Sequence, residues 1–167
     1  SKIGLVSVSR ALRDCKPTLT YGAKTKAEGD QMAAAERALV EEISALTGGV
    51  KALVPGTSDH LAQYKLLLQK QGGLKAMQEY NNTQRGLSQQ RWAEKVYREI
   101  LRITKDVAAK KGLDMVLQRS EPTFPIPGAE QLMMTLSTHK VLYGGGCQDI
   151  TDEIIAELDK IESKLIN

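Results

Sequence analysis

The residues of this chain that could carry chemistry are few and scattered. His60 and His139 each stand alone, away from any cysteine or paired carboxylate. A catalytic histidine needs an orienting partner, a reacting group and a pocket, so both read as surface or packing residues. Cys15 and Cys147 lack metal-ligand spacing; they are candidates for one disulfide or for two free thiols. The run GGGCQD at 144–149 lacks the Lys-Ser/Thr of a phosphate-cradling loop and reads as a turn. No catalytic residue, metal site or cofactor is expected. What remains is charge and exposed apolar surface. Residues 61–91 set Lys65, Lys70, Lys75, Arg85 and Arg91 against the single carboxylate of Glu79. Residues 24–46 have the opposite balance, with Lys24, Lys26 and Arg37 against Glu28, Asp30, Glu36, Glu41 and Glu42. Two readings stay open. Either these charges pair across a solvated helical face, or the cations form a diffuse field that attracts chains without fixing a pose. Leu66, Leu67 and Leu68 cannot all face one seam of a helix, so at least one meets solvent, another helix or a bound chain. With Leu53 and Val54, the positions Leu67 and Leu68 are the apolar candidates for binding.

The elements that must position these groups are helical. Of 167 residues only 4 % are aromatic, with one Trp and one Phe, so few large rings are available to a core. Chains rich in Ala, Leu, Lys, Glu and Gln make long helices, and one elongated domain with a small core is expected. The net charge of +3 is well short of what a nucleic-acid binder carries, and no nucleic-acid partner is expected. No apolar run approaches the roughly 20 residues that span a bilayer. The chain starts at Ser1 with no leader, which reads as a signal removed or a sequence trimmed.

KIGLVSV (2–8) alternates and is β-branched, and predicts a strand. Ser9 then caps a short helix that Pro17 interrupts, and PTLTYGAK predicts a connection. From about Lys24, Met32, Glu36, Leu39, Ile43, Leu46, Val50 and Leu53 follow the alternating four-three spacing of a coiled-coil seam. VPGTSDH is a turn with Ser58 or Asp59 as the next N-cap. A second helix runs from about Asp59 to Lys111 without proline, and Gly112 suits its C-terminus. Two long helices joined by one short turn make an antiparallel hairpin. Leu74, Met77, Tyr80 and Leu87 are the sparse apolar positions of the second helix, and Gly72, Gly73 and Gly86 weaken it there. From Trp92 the apolar face widens through Val96, Ile100, Ile103 and Val107, with Tyr97, Leu101 and Ala108 beside it. Further strands are predicted at 113–118 and at KVLY, 140–143. The proline-rich loop EPTFPIPG and a short helix AEQLMMTLSTH lie between them. The last helix starts at Thr151, with Ile150 and Ile155 as a hydrophobic staple and Ile154, Leu158, Ile161 and Leu165 as its buried stripe. The fold class expected is mainly α with a small β body. The body takes residues 1–23 and 92–167, and a helical hairpin arm takes 24–91.

In its order of parts the chain resembles the Skp/OmpH family of chaperones. KIGLVSVSRAL resembles the family's opening strand and helix, and LVPGTSDHLAQYKLLLQKQ its hairpin tip and returning helix. VAAKKGLDMVLQRS resembles the return into the body, and KVLYGGGCQDITDEIIAEL the closing unit. The segment EPTFPIPGAEQLMMTLSTH, 121–139, departs from the commonest pattern by lengthening the loop between strands. The resemblance implies a jellyfish-shaped homotrimer in the periplasm, with a strand-built body and three arms around a cavity. It implies an ATP-independent holdase for unfolded outer-membrane proteins. The mild positive charge adds contact with anionic lipid or the membrane surface as a further partner expectation, and a basic nucleic-acid or anionic-lipid binder as a rival class. Short strands are marginal alone in water, so Val6, Val8, Val116, Leu117, Val141 and Leu142 are expected at the trimer interface. In an oxidising compartment Cys15 and Cys147 would tie the chain ends together. The alternative reading is a coiled-coil scaffold or spacer that binds no client.

Overall fold

The structure, a computed structural model, describes residues 2–167. Its elements in order are β1 (Ile3–Val6), α1 (Val8–Asp14), α2 (Lys16–Ala52), α3 (Ser58–Lys111), β2 (Met115–Gln118), α4 (Ala129–Thr138), β3 (Gln148–Asp149), α5 (Thr151–Lys160) and α6 (Glu162–Ile166). The chain divides into two compact units, residues 1–22 with 92–167, and residues 23–91.

The first unit is built on a three-stranded sheet of order β2-β1-β3, with both pairings parallel. Its main core joins Val6, Ala11 and Cys15 to Val96, Ile100, Ile103 and Val107 of α3 and to Ile150, Ile154, Leu158 and Leu165 from the C-terminal end. Val6 is thus buried within its own chain rather than left for a partner. The stripe on α3 is narrower than the sequence suggests, because Tyr97 and Leu101 remain 43 % and 53 % exposed.

Three expectations about local structure fail, each for a physical reason. Pro17 does not interrupt a helix; it sits in the first turn of α2, where its missing N–H is not needed. The first free donor there, the Lys16 N–H, is taken by Asp159 Oδ1 of α5 at 2.7 Å. PTLTYGAK is therefore helix. KVLY is not a strand. The place beside β1 belongs to Gln148 and Asp149, which pair with Gly4 and Leu5, while Leu142 and Tyr143 stand 80 % and 89 % exposed. The caps also shift. Ser7, not Ser9, caps α1, accepting from the Arg10 N–H at 3.2 Å. Thr57, not Ser58 or Asp59, caps α3 through a 3.2 Å bond from the His60 N–H. Ile150 is itself the N-cap of α5, so the staple moves one residue out of register.

Two glycines hold conformations that a side chain would resist. Gly112 has φ +66 and ends α3 with Leu113 N–H bonded to Ala108 C=O, the Schellman closure. Gly56, φ +86, follows Pro55 in the turn closed by Thr57 N–H to Val54 C=O, as a type II turn demands.

The chain ends are tied by polar contacts as well as by the core. The fully buried Thr151 accepts the Ser7 N–H at 2.9 Å and donates to Asp149 Oδ1 at 2.5 Å. Burial works against the Asp149 charge, but the Thr151 hydroxyl and N–H, with Arg10 and Arg119 nearby, outweigh it and hold the carboxyl below its usual range. Glu99 is lowered chiefly by its hydrogen bond from Arg102, with burial opposing and Lys164 assisting. Folded-state values below the unfolded ones mean stability that is present above about pH 4 and lost as pH falls through the lower folded values. The melting temperature is therefore expected to be flat from neutral to about pH 5 and to drop below about pH 4. Asp149→Asn should flatten part of that acid limb, and melting curves across pH would show it.

Candidate functional site

The second unit is the hairpin of α2 and α3. Its seam runs through Met32, Glu36, Leu39, Ile43, Leu46 and Val50 on α2 and Leu53 just past its end, all half-buried. On α3 it runs through His60, Leu67, Lys70, Leu74, Met77, Asn81 and Ser88. Tyr80 and Leu87 are not part of it and stand 66 % and 45 % exposed. The seam is polar at three levels. Asn81 Nδ2 donates to Glu36 Oε1 at 3.0 Å. Lys70 Nζ lies 2.9 Å from Glu42 Oε1. The Arg85 guanidinium covers Gly29, where a Cβ would come within 3.3 Å of it. Leu67 is the buried residue of the seam.

This geometry sorts the binding candidates. Lys70 and Arg85 serve the hairpin itself. Lys65, Lys75 and Arg91 have no ion-pair partner among the described residues. Leu67 is 7 % exposed and packs inward, so it is withdrawn from the surface. Leu68 and Val54 are 50 % and 69 % exposed, and Leu53 is half-buried above Gly49 and Ala62 at the hairpin tip. Leu61, Tyr64 and Leu66 are also exposed. Sequence reasoning missed Leu61 and Tyr64, although the seam register, once set at Leu67, places both outside it. His60 is a packing residue: its Nδ1 accepts the Gly56 N–H at 3.4 Å, and its ring lies parallel to Tyr64.

In the first unit, the residues expected at a subunit interface divide. Val6 is buried, and Val8, Val116 and Val141 are half-buried. Leu117 and Leu142 are exposed. Both cysteines are free. The Cys15 sulfur is enclosed beside Leu12 C=O and Thr18 Oγ1, and Trp92 Nε1 donates to the same Thr18 oxygen. Cys147 precedes β3, on the strand edge of the unit. The sulfur of Cys15 is engaged within its own helix junction, and both thiols are free in this structure.

Among the described residues no cluster of His, Cys, Asp or Glu could hold a metal ion. Among the described residues no helix is long and apolar enough to cross a membrane. The grooves along the hairpin are shallow and open, lined for example by Ala33, Glu36, Arg37, Val40, Glu41 and Gln78. Such a surface suits broad, weak contact rather than a seated small molecule. Compared with protein-family models, residues 2–158 match the model described as outer membrane protein, OmpH-like. The chain belongs to the OmpH-like family. Two long helices beside a small three-stranded sheet are the fold expected of a Skp/OmpH-like protein. For the family as a whole, membership supports a periplasmic chaperone of outer-membrane proteins rather than an enzyme. No curated protein matches the chain in a direct sequence comparison.

Proposed function

We propose that this OmpH-like chain is an ATP-independent holdase for unfolded outer-membrane proteins in the periplasm. It acts as a homotrimer, and the hairpins supply the client-binding surface. The observation that carries the reading is the hairpin's outer face. Val54, Leu61, Tyr64, Leu66 and Leu68 are exposed one by one, with Lys65 beside them and Lys75 and Arg91 further along α3. Each contact with a client segment is weak, and many together hold by multivalency. Binding the unfolded chain and not the folded one stabilises it by mass action, with no chemical step. The three polar levels of the seam speak against a rigid spacer, which would bury a continuous apolar seam.

The test is light scattering of a denatured outer-membrane β-barrel protein diluted with and without this chain. Suppression of aggregation is expected. Lys65→Gln, Lys75→Gln and Arg91→Gln together should slow capture several-fold at low salt and make little difference at high salt, since exposed charges act at long range and are screened. Lys70→Gln with Arg85→Gln should instead loosen the hairpin. Aggregation unaffected by the wild-type chain, for any such client, would leave the scaffold reading in place of this one.

A further inference from the structure

The two ends of α3 are held very differently. Val96, Ile100, Ile103 and Val107 are buried in the main core of the first unit. Among the described residues of the hairpin, 23–91, Leu67 alone is buried. Its facing seam residues toward the tip, Leu46, Val50 and Leu53, are only half-buried. The nearest polar level joins Lys70 to Glu42, whose side chains are 35 % and 49 % exposed, and a pair so open to water contributes little.

Glycines stand where this hold is weakest. Gly48 and Gly49 lie near the end of α2, and Gly72 and Gly73 lie within α3. Gly49 lines a shallow groove with Leu53, Asp59, Ala62 and Gln63, so that pair is on the tip side of Leu67. Gly72 and Gly73 follow Lys70 toward the body. The two pairs thus flank Leu67 and the Lys70–Glu42 pairing from opposite sides. None of the four has a positive φ, and a Cβ on any of them would meet nothing within 4 Å. Neither backbone geometry nor close approach requires glycine there. Each interior glycine lowers the helix equilibrium about fivefold relative to alanine, and less in a last turn. Once the limbs part, each is a short glycine-bearing helix, marginal in water. Sparse burial and a solvent-exposed backbone mark a segment that opens by itself, well short of global unfolding.

We propose that residues 42–73 open as one local unit, and that unfolded client chains are held by the opened form. The proposal rests on the holdase reading above and adds to it the residues that the closed hairpin withdraws. In the closed form Leu66 and Leu68 are exposed while Leu67 between them packs into the seam. Parting of the limbs frees Leu67 beside both neighbours, and frees Leu46, Val50 and Leu53 on the facing limb. An apolar client segment on these groups takes the place of the opposite limb. Closure and client then compete for the same leucines. A client that folds gives up these contacts, and the limbs close over them again.

The test uses the full chain with Gly48→Ala, Gly49→Ala, Gly72→Ala and Gly73→Ala together, beside Gly86→Ala, which lies outside the unit and also faces open space. In the wild type, hydrogen exchange across 42–73 should be faster than across 96–107. In the fourfold variant it should slow on the order of a hundredfold across 42–73. At least about tenfold more of that variant should then be needed to keep a denatured outer-membrane β-barrel protein from scattering light, because affinity falls with the fraction of the binding-competent form. Gly86→Ala should hold the client as the wild type does, and an equal loss there overturns the proposal. Slower exchange with undiminished holding overturns it too, and leaves the exposed face of the closed hairpin as the binding surface. Wild-type exchange as slow across 42–73 as across 96–107 overturns the local unit itself. A wild-type chain that holds no such client overturns the holdase reading and this proposal with it.

Discussion

Excising residues 23–91 and joining Gly22 to Trp92 through a short glycine linker is expected to leave a folded body that no longer keeps a denatured outer-membrane protein in solution. The cut is favourable because its two ends already meet. Tyr21 stacks on Trp92 with ring centroids 4.4 Å apart and planes within 2°. Everything the body core needs lies outside the excised segment, from Val6 and Ala11 to Val96, Ile100, Ile154 and Leu165. The exposed groups proposed to hold clients, Val54, Leu61, Tyr64 and Leu68, all go with the hairpin. Losing every contact of a multivalent surface removes the avidity altogether rather than in part. At least about tenfold more protein should then fail to match wild-type suppression. The readouts are light scattering for holding, with sedimentation and thermal melting for the body. A body that still holds the client would move the binding surface away from the hairpin.

Ile154→Ala is expected to cost about 2–5 kcal/mol of stability. Ile154 is 0 % exposed and sits among Ile150, Leu158 and the α3 residues of the main core. Truncation removes buried methyl groups and leaves a cavity that α5, held at its start by Thr151 and at its end by the turn into α6, cannot readily close. Leu68→Ala, on the exposed hairpin face, should change stability by less than about 0.5 kcal/mol while weakening client capture. Denaturant midpoints at one fixed protein concentration make the comparison, because assembly shifts apparent stability. A cost under about 1 kcal/mol for Ile154→Ala would mean that this core is loosely packed.

The long elements were legible because their signals repeat. The spacing of Leu39, Ile43, Leu46, Val50 and Leu53 defines one line along α2 and just past its end, and each of these residues is half-buried. The facing line on α3 was legible only in part. Asn81 and Lys70 are seam residues, but a hydrophobic pattern cannot register polar side chains that find their partners across the hairpin. Tyr80 and Leu87 misled for the same reason: apolar type at roughly helical spacing, one position off the line. Pro17 was read as a breaker because its tolerance depends on where the helix starts, and that start is set by Asp159, far away in sequence. Gln148 and Asp149 became a strand because β1 offers an open edge there, whereas KVLY has the stronger β composition and no edge to join. Of the candidate binding residues, Lys65, Lys75, Arg91, Val54 and Leu68 kept an exposed position or an unpaired charge. Lys70 and Leu67 did not, since Lys70 pairs with Glu42 across the hairpin and Leu67 packs inward, and neither is visible until the register is known; Arg85 stays exposed but lies over Gly29.

The polar levels of the seam work as index marks on two sliding scales. Glu36 meets Asn81, Glu42 meets Lys70, and Gly29 makes room for Arg85. Slipping one limb against the other would break the Glu36–Asn81 and Glu42–Lys70 pairings and set Arg85 against a residue with a side chain in place of Gly29. A seven-residue insertion in one limb alone would do the same. Matched insertions of seven residues in both limbs, between the same pair of marks, would preserve every match and lengthen the hairpin by about 10 Å. Reach is thus a quantity that descent can alter in fixed increments, without renegotiating the body, so long as both limbs change together.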